Sequence, residues 1–388
     1  MKRRLCMVVH GPYPLGEPRV AREARVANEL GLDVEVLALR QRGEARKETV
    51  DGVLVRRLPI RHRRGCGLAR MLVEYLGFTV LASAWLAAHP RRRCIVQIHN
   101  PPDFLAVAGL LPKLLGNRLI FDVHDLSPDI FSMRFDGQRG SRITGRLLRL
   151  SEQAATRLAN QVITVHEPYR RELIARGVKP GKVSVVMNSL DETLLPDSLA
   201  RVESDSFRVV YHGTITHWYG VETIVEAAAR ASSEITDLRV ELYGDGDSLP
   251  AVRELASRHG LGNCFFASGT YLPHRDTLAA VVGASVGVIP NLANRLNRFA
   301  LSSKLFEYVM LGIPVACSRL PTLEEYFGED ELLFFEPGNS ADLARAFVMI
   351  AQDPAGAAQR AERARARCEG YRWQRNAELY AALLDRLY

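Results

Sequence analysis

A run of basic, amide and hydroxyl side chains precedes Glu307, and these groups suit a phosphorylated ligand. No acidic residue occurs between Asp276 and Glu307. The polar residues of this interval include Asn291, Arg298, Ser302, Ser303 and Lys304. The serine pair opens a predicted helix, whose N-terminus offers free N–H groups and a positive dipole end to an anion. We therefore predict a diphosphate site here; the alternative is a solvated basic loop with a serine N-cap.

Glu307 lies one turn into that helix, close to where a ribose would lie if phosphates occupied the helix start. A carboxylate binds vicinal ribose hydroxyls with both oxygens, as in dinucleotide sites. Gly312 and Pro314 then end the helix before the next apolar strand. The cations together with Glu307 predict a nucleotide-diphosphate site.

The surrounding pattern alternates short apolar strands with amphipathic helices, twice along the chain, which is typical of parallel sheets covered by helices. Predicted strands cover residues 5–9, 34–39, 53–58, 94–99, 119–124 and 162–165, and then 207–211, 238–243, 264–267, 286–289 and 315–318. A polar stretch at 188–205 separates the two sets and predicts a linker. The fold class is therefore α/β, with two Rossmann-like domains facing a central cleft at the carboxyl ends of their strands.

The charge of the chain is divided unevenly between its halves. Residues 1–200 carry 32 Lys and Arg against 20 Asp and Glu, whereas the second half is acidic. Nine arginines between 56 and 93 flank an apolar stretch at 68–88, whose longest uncharged run has 14 residues. A membrane span needs about 20 residues. We expect a core-packed helix, with docking on an anionic lipid surface as the alternative.

Several other chemistries are not expected. The aromatic residues of the basic region lie inside its apolar run, so we expect no nucleic-acid partner. The six cysteines form no C-x-x-C pair, which indicates reduced thiols in a cytoplasmic protein. Asp245 and Asp247 could offer two carboxylates to a divalent cation. The Asp245-Gly246-Asp247 segment follows a predicted strand as a turn, however, so we expect no metal. The turn ending at Gly16 lacks the G-x-G-x-x-G pattern of dinucleotide folds, and we expect no cofactor.

The segment Ser303-Lys304-Leu305-Phe306-Glu307-Tyr308, followed by Gly312-Ile313-Pro314-Val315, resembles the KLFEY-type subgroup of the family 4 (group 1) retaining glycosyltransferases. Residues 99–104, 122–126 and 188–191 resemble the acceptor-domain strand ends and domain-crossing segment of the family, while 211–220 and 244–246 resemble its donor-domain turns. The order and spacing of these segments cover most of the chain.

The resemblance implies the two-domain GT-B fold and transfer of a sugar from a nucleotide-diphosphate sugar with retention. It implies an acceptor domain at 1–190, a nucleotide-sugar domain at 205–365, and a C-terminal helix at 366–388 that crosses back to the first domain. His124 and Glu307 match catalytic positions, and Gly16, His99 and Asp125 lie on the acceptor side. The implied donor-binding residues are Gly213, Thr214, Asn291, Arg298, Ser302, Ser303, Lys304, Leu305 and Glu307.

The sequence departs from the family at three positions. Phe299 occupies the place of the first glutamate of the E-x7-E signature, and Thr214 and Tyr219 occupy the places of the phosphate-binding arginine and lysine. Phosphate charge must then be met elsewhere, and we assign it to Arg298 and Lys304. In the family the first glutamate usually contacts the donor sugar, so Phe299 leaves the donor sugar open. Members of the subgroup often lack this glutamate, which makes Phe299 look like a trait of the subgroup.

The expected partners are a nucleotide sugar and an acceptor, which is a glycan, a lipid-linked glycan or a small molecule. The basic first half is also compatible with peripheral contact of the protein with the inner face of an anionic membrane. Exopolysaccharide, cell-surface glycan or glycolipid synthesis would use such an enzyme. Two other functions stay open. A non-hydrolysing sugar-nucleotide epimerase shares the fold, and a catalytically silent protein on a membrane surface would account for Phe299.

Overall fold

The computed structural model describes residues 3–14, 16–61, 67–135, 141–189, 192, 195 and 206–388. The chain forms two compact units, one of Met1–Asn188 with Gln374–Tyr388 and one of Ser189–Trp373. The predicted linker at 188–205, like Leu190 and Asp191 of the domain-crossing segment, falls almost entirely outside the described residues.

The first unit is built on an eight-stranded sheet. Its strands are β1 Arg4–Val8, β2 Asp33–Leu39, β3 Lys47–Val50, β4 Val53–Leu58, β5 Cys94–His99, β6 Arg118–Val123, β7 Gln161–Thr164 and β8 Val183–Val185. They lie in the order β3-β4-β2-β1-β5-β6-β7-β8, all parallel except for the antiparallel edge strand β3. The central strands are almost entirely buried because helices cover both faces of a parallel sheet. The prediction missed β3, whose residues are mostly polar and exposed, and the short edge strand β8.

Helices connect these strands. They are α1 Pro18–Glu29, α2 Leu68–Ala88, α3 Leu110–Leu114, α4 Ser127–Phe135, α5 Ser141–Leu158 and α6 Glu167–Ala175, with a 3₁₀ helix at Asp103–Gly109 before α3. The strand order reverses between β1 and β5, and open α/β sheets bind ligands at the carboxyl ends of strands at such a point.

The second unit has a six-stranded parallel sheet in the order β11-β10-β9-β12-β13-β14, formed by β9 Phe207–His212, β10 Leu238–Tyr243, β11 Phe265–Ala267, β12 Val286–Ile289, β13 Val315–Ser318 and β14 Leu333–Phe335. Its helices are α7 Val221–Ala231, α8 Leu249–Arg258, α9 His274–Val281, α10 Ser303–Met310, α11 Pro321–Tyr326, α12 Ser340–Gln352 and α13 Pro354–Cys368. Here the strand order reverses between β9 and β12.

The last helix, α14 Trp373–Leu387, packs in the first unit. Its Tyr380 hydroxyl donates to Oε1 of Gln97 on β5 at 2.6 Å, and the Met187 amide donates to Oδ1 of Asn376 at 2.8 Å. The chain returns to the first unit at Gln374, later than the predicted 366, because Tyr371 still packs edge to face on Tyr326 of the second unit.

The expectation of a core-packed helix at 68–88 is wrong. Only 28% of the most apolar stretch of α2 is buried, which is too little for a core helix. By length and composition alone, residues 69–88 would also be long and apolar enough to cross a membrane. The buried side consists of Glu74, Phe78, Ala82 and Leu86, which recur every four residues along one face, together with the neighbouring Thr79. The opposite face is exposed, because α2 lies on the surface of the sheet layer.

Candidate active site

Gly213 follows β9 at the strand-order reversal of the second unit and forms a turn that only glycine adopts easily. Its φ is +115°, and a Cβ added to it would lie 3.2 Å from Cε of Lys304. The side chain of Lys304, which starts from the first turn of α10, therefore reaches across to this turn. Two predicted donor-binding residues from distant parts of the sequence are thus in contact.

Lys304 is enclosed by aromatic rings. Its Nζ lies 3.4 Å from the Tyr211 hydroxyl, and 4.7 and 5.2 Å from the ring centroids of Tyr211 and Tyr219. Burial lowers the pKa of Lys304 to about 8, although the carboxylate of Glu307 opposes this shift. The ammonium form still prevails at neutral pH, and it provides a cation beside the Gly213 turn.

Glu307 is buried one turn further along α10 and is held by two histidines. Its Oε2 lies 3.0 Å from Nε2 of His212 at the end of β9, and its Oε1 lies 3.2 Å from Nε2 of His274. Burial by itself raises the pKa of Glu307, but His212 and His274 outweigh it and hold the pKa well below its usual range. The group is an anion with a fixed orientation. The two histidines were not predicted; a histidine at the end of a strand was the only available signal.

The other predicted donor-binding residues offer different chemical groups to a ligand. Ser302 is the N-cap of α10, and its carbonyl accepts from the Leu305 N–H at 3.1 Å. Leu305 does not offer a polar group, since its side chain is fully buried in the core. Asn291, after β12, is 3% exposed, and its Oδ1 has no hydrogen-bond partner among the described residues. A buried amide oxygen without a partner is a place for a ligand donor.

Arg298 and Phe299 lie in a 3₁₀ turn before α10. The Arg298 guanidinium is exposed and lies 4.3 Å from the centroid of the buried Phe299 ring. The Arg298 carbonyl accepts from the Thr322 hydroxyl at 2.8 Å, which fixes the turn. Thr214 is exposed beside Gly213, and its hydroxyl accepts from Tyr271 at 3.2 Å. At the position of the first glutamate of the E-x7-E signature, this chain therefore has the aromatic ring of Phe299, and the Arg298 guanidinium stacks on that ring.

In the first unit, the register of β5 and β6 pairs His99 with Asp122. His99 Nδ1 lies 3.0 Å from Oδ2 of Asp122, and both side chains are fully buried. Arg19 on α1 donates to both oxygens of the same carboxylate, at 2.9 and 3.0 Å. This ion pair holds the pKa of Asp122 well below its usual range, against the effect of burial.

His124 follows β6, with its ring centroid 5.8 Å from that of His99. Burial lowers the pKa of His124 to about 4, and nearby His99 and Arg19 lower it further while Asp122 opposes them. The imidazole is therefore neutral at pH 7. Its Nε2 is buried without a hydrogen-bond partner within the described part of the chain, so it is available to a ligand hydroxyl.

Asn100 organises the loop that holds His124, although the prediction did not single it out. Its Oδ1 accepts from the amides of His124 and Asp125 at 3.0 and 3.2 Å, and its Nδ2 donates to Asp103 at 2.8 Å. Burial raises the pKa of Asp125 to about 7, and the nearby carboxyl of Asp103 adds to this. His99, His124 and Asp125, all predicted from the sequence, are thus brought together.

Glu17 was missed, although it directly follows the predicted residue Gly16. Its carboxylate lies against Gly11, where a Cβ would be only 1.8 Å from Oε1. Burial raises the pKa of Glu17 to about 8, and Asp125 and Asp122 raise it further. Gly16, Glu17 and the loop that follows β1 line a polar cavity of about 700 Å³ in the first unit. The Glu17 carboxyl group and the polar lining of this cavity can together seat a hydroxyl-bearing molecule.

One buried trio has the composition of a metal site. Ligand atoms of Glu23, His99 and Asp122 all lie within 4.8 Å of one another. The guanidinium of Arg19 occupies this cluster, 3.1 Å from Glu23 and 2.9 Å from Asp122. Arg19 supplies the positive charge that a metal would otherwise supply, so the trio is better explained as an ion-pair network.

Comparison with known proteins agrees with this architecture. Residues 16–189 match the model of a glycosyl transferase 4-like domain, and residues 206–353 match that of glycosyl transferases group 1. The chain is 20% identical over 261 residues to a phosphatidylinositol N-acetylglucosaminyltransferase component from Arabidopsis thaliana, covering 66% of this chain and 54% of that protein. The chain spans about half the length of the curated relatives it matches.

Solved structures share the fold over the full chain. Sucrose-phosphate synthase from Thermosynechococcus elongatus matches with a TM-score of 0.81 and 18% identity, covering 100% of this chain and 99% of that one. The Anabaena protein HepE in complex with UDP-glucose matches with a TM-score of 0.73 and 16% identity, covering 99% of each chain. The two family models together cover most of both units. The chain therefore belongs to the group 1 glycosyltransferases and has the GT-B fold.

Proposed function

We propose that the protein transfers a sugar from a nucleotide-diphosphate sugar to an acceptor hydroxyl, with retention at the anomeric carbon. The observation that carries this proposal is the pairing of Glu307 with His212 one helical turn from Lys304, which covers the Gly213 turn. A fixed carboxylate for ribose hydroxyls and a cation for phosphate stand next to each other on α10. That HepE, of similar fold, binds UDP-glucose supports a nucleotide sugar as the donor.

In this proposal the ribose hydroxyls bind Glu307, and the diphosphate binds Lys304 and the free N–H groups at the start of α10. Arg298 adds a second cation. These positive groups stabilise the diphosphate as it leaves, while positive charge develops on the sugar. The acceptor hydroxyl then attacks from the face that the diphosphate leaves. The scheme needs no side chain as nucleophile, no metal and no cofactor.

The acceptor belongs, in the same proposal, to the first unit. The free Nε2 of neutral His124 accepts a hydrogen bond from a hydroxyl of the acceptor or of the sugar. Gly16, His99 and Asp125 complete this side, and Glu17 joins them on the evidence of its contact with Gly11. The polar cavity beside Glu17 suits a hydroxyl-rich molecule such as a glycan, a lipid-linked glycan or a small sugar acceptor.

The wider setting is also part of the proposal. A KLFEY-type enzyme with a basic first half fits exopolysaccharide, cell-surface glycan or glycolipid synthesis in the cytoplasm, with peripheral contact at the inner face of the membrane. The transferred group is a hexosyl or related glycosyl residue. Phe299 replaces a carboxylate with a ring, which should alter the choice of donor sugar.

The first test is a thermal-shift screen with UDP, GDP, ADP and dTDP, each with and without EDTA. A nucleotide at 100 times its dissociation constant stabilises a fold by about 2.7 kcal/mol. A shift with one nucleotide that survives EDTA supports a metal-free donor site and identifies the base. The absence of any shift would favour a silent binding protein, and conversion of a sugar nucleotide without acceptor would favour an epimerase.

Glu307→Gln tests the residue assignment without changing the side-chain volume. We expect nucleotide affinity to fall by about 10- to 100-fold, because hydrogen bonds to a charged group contribute about 1.5–3 kcal/mol. Glu307→Ala should abolish transfer. The matched control is Glu331→Gln, another buried carboxylate of the second unit, which pairs with Arg367 at 2.9 Å. Near-normal transfer by Glu307→Ala would refute the assignment.

A further inference from the structure

Exposed apolar side chains are concentrated on one side of the first unit. Among the described residues, 16 large apolar side chains are exposed, and 11 of them lie in three neighbouring segments of this unit: α2, the 3₁₀ helix with α3 and the adjoining Leu115, and α5. We call this set the apolar face: Val73, Leu76, Val80, Val107, Leu110, Leu111, Leu114, Leu115, Ile143, Leu147 and Leu150. So large an exposed apolar surface marks an interaction site.

The apolar face is regular along α2. Val73, Leu76 and Val80 are 70%, 54% and 65% exposed, and Ala84 and Ala87 continue the same side of the helix. These five positions follow a spacing of three and four residues, which places them on a single stripe. No charged residue interrupts the stripe, although the side that packs on the sheet carries the buried Glu74. The exposed side of α2 is therefore about as apolar as its buried side, whereas a helix on a water-soluble surface normally exposes a polar side.

The stripe continues across two neighbouring elements. The 3₁₀ helix Asp103–Gly109, which leads into α3, packs against both α2 and α5. On α3, Leu114 is 74% exposed. On α5, Ile143, Leu147 and Leu150 recur at helical spacing, each more than half exposed. The three elements form one continuous layer on the sheet, so their outward residues share a surface.

Positive charge borders the apolar face. Arg70 on α2 and Arg146 and Arg149 on α5 are exposed beside it. Next to α3 and α5 lies a cavity of about 750 Å³ that we call the basic cavity. Its described lining contains five cations and no acidic side chain: Lys113, Arg157, Arg176, Lys179 and Lys182. Lys113, on α3 beside Leu114, joins the cavity to the apolar face.

The cations of the basic cavity are only partly neutralised. Arg176 pairs with three carboxylates, those of Glu152 at 2.8 Å, Asp129 at 2.5 Å and Glu172 at 3.0 Å, so the uncompensated charge of the cavity comes from the other cations. Lys113 and Lys182 donate to the last carbonyls of α5, which leaves each ammonium further N–H groups. Burial lowers the pKa of Lys182, and the neighbouring Lys113 and Lys179 lower it further. Such crowding of like charge favours binding of an anion.

We propose that the apolar face docks on an anionic lipid bilayer, with the basic cavity and the flanking arginines meeting lipid phosphates. Leucine and valine side chains on one side of a helix enter the acyl boundary of a bilayer, while basic residues at the rim meet its negative headgroups. α2 then lies on the membrane and does not cross it, because its other side packs on the sheet. This inference rests on the proposed peripheral localisation and is independent of the donor chemistry.

Co-sedimentation with vesicles tests the proposal on the full chain. We expect binding to vesicles of phosphatidylcholine with phosphatidylglycerol, and much weaker binding to phosphatidylcholine alone or at high salt. Leu76→Ser with Leu115→Ser should weaken this binding by about tenfold or more, because two leucines no longer leave water. The matched control is Met349→Ser with Leu379→Ser, since all four side chains are between 51% and 55% exposed.

A second pair of variants tests the basic cavity. Lys179→Ala with Lys182→Ala should weaken binding to anionic vesicles by about 30-fold, since each basic residue near the surface contributes about one kcal/mol. Equal binding to both vesicle types would overturn the role of charge, and equal losses in the control pair would overturn the role of the apolar face.

If the protein is a dimer that Leu76→Ser with Leu115→Ser converts to monomer, a second copy covers the face and the proposal fails. Nucleotide thermal shifts, measured on the same variants, should be unchanged, which separates this test from that of the donor site.

Discussion

Glu307 and His212 form a buried carboxylate–imidazole pair, with 3.0 Å between Oε2 and Nε2. The pair joins α10 to the end of β9, and the backbone amide of His212 also donates to the Tyr308 hydroxyl on α10 at 3.1 Å. One carboxylate oxygen is therefore committed to the fold. The proposed ribose contact therefore falls mainly on the other oxygen, Oε1, and not equally on both oxygens.

His274 occupies that second oxygen, with its Nε2 3.2 Å from Oε1 of Glu307 and its side chain 40% exposed. A ribose hydroxyl that binds Oε1 competes with this imidazole for the same carboxylate oxygen. We therefore expect His274→Ala to bind the nucleotide as tightly as the wild type or up to about tenfold more tightly, since one hydrogen bond to a charged group no longer has to be broken. Isothermal titration with the nucleotide found in the screen measures this. Weaker binding would mean that His274 itself contacts the donor; His259→Ala, an exposed histidine after α8, is the control.

Lys304 should make nucleotide binding depend on pH. Its pKa is lowered to about 8 by burial, so the free protein loses the ammonium charge as the pH rises through 8. We expect affinity for the diphosphate to fall between pH 7 and pH 9, less steeply if the bound phosphate raises the pKa again. Lys304→Arg should keep its affinity above pH 8, whereas Lys304→Met should bind weakly at every pH. A wild-type affinity that is flat across this range would contradict the assignment of Lys304 to phosphate.

The lowered pKa of Lys304 changes the stability of the free protein in the opposite direction to nucleotide affinity. The folded-state pKa of about 8 lies below the unfolded value of 10.5, so the unfolded chain binds more protons between these pH values. The contribution of Lys304 to the free energy of unfolding therefore rises with pH over this window. Urea unfolding of wild type and Lys304→Met across pH 8 to 10 should show a pH-dependent difference in this direction, while nucleotide affinity falls.

His124 should affect the chemical step and not nucleotide affinity. With its pKa lowered to about 4, the imidazole is neutral above pH 5, and transfer should decline as the pH falls toward 4 because the protonated ring no longer accepts a hydrogen bond. We expect His124→Ala to lower kcat by about 100-fold, within the range for one transition-state hydrogen bond. The nucleotide dissociation constant should not change. His124→Gln, which keeps a hydrogen-bond acceptor, should recover part of the rate, and an unchanged kcat in His124→Ala would exclude the role.

Arg19 should matter for stability more than any exposed arginine. Arg19→Met leaves the buried carboxylates of Asp122 and Glu23 without their cation, which should cost about 3–5 kcal/mol of unfolding free energy. The control is Arg3→Met, which breaks a pair with Asp385 whose side chains are both more than half exposed. Exposed pairs contribute about 0–1 kcal/mol. If urea unfolding showed similar losses of unfolding free energy in the two variants, the Arg19 network would contribute no more to stability than an exposed ion pair.

Much of the architecture could be predicted from local sequence. Continuous apolar runs such as β1 and β9 are long enough for buried parallel strands, and polar turns follow them, so the two α/β domains emerge from patterning alone. Ser302, Lys304 and Glu307 lie on one short helix, so their proximity follows from its geometry. Short or polar edge strands such as β3, β8 and β14 carry little pattern, and they were missed for that reason.

Tertiary structure decided which distant residues meet. The contacts of Lys304 with Gly213, of Glu307 with His212, and of Arg19 with Asp122 join residues about 90 or more positions apart, and strand order sets these pairings. Burial likewise shifts the pKa values of Glu17 and His124, and no local pattern reports burial. The exposed side of α2 was mistaken for core because sequence records how apolar a helix is but not which neighbours cover it. Chemistry within one turn of helix is thus readable from sequence, whereas chemistry assembled across a sheet requires the fold.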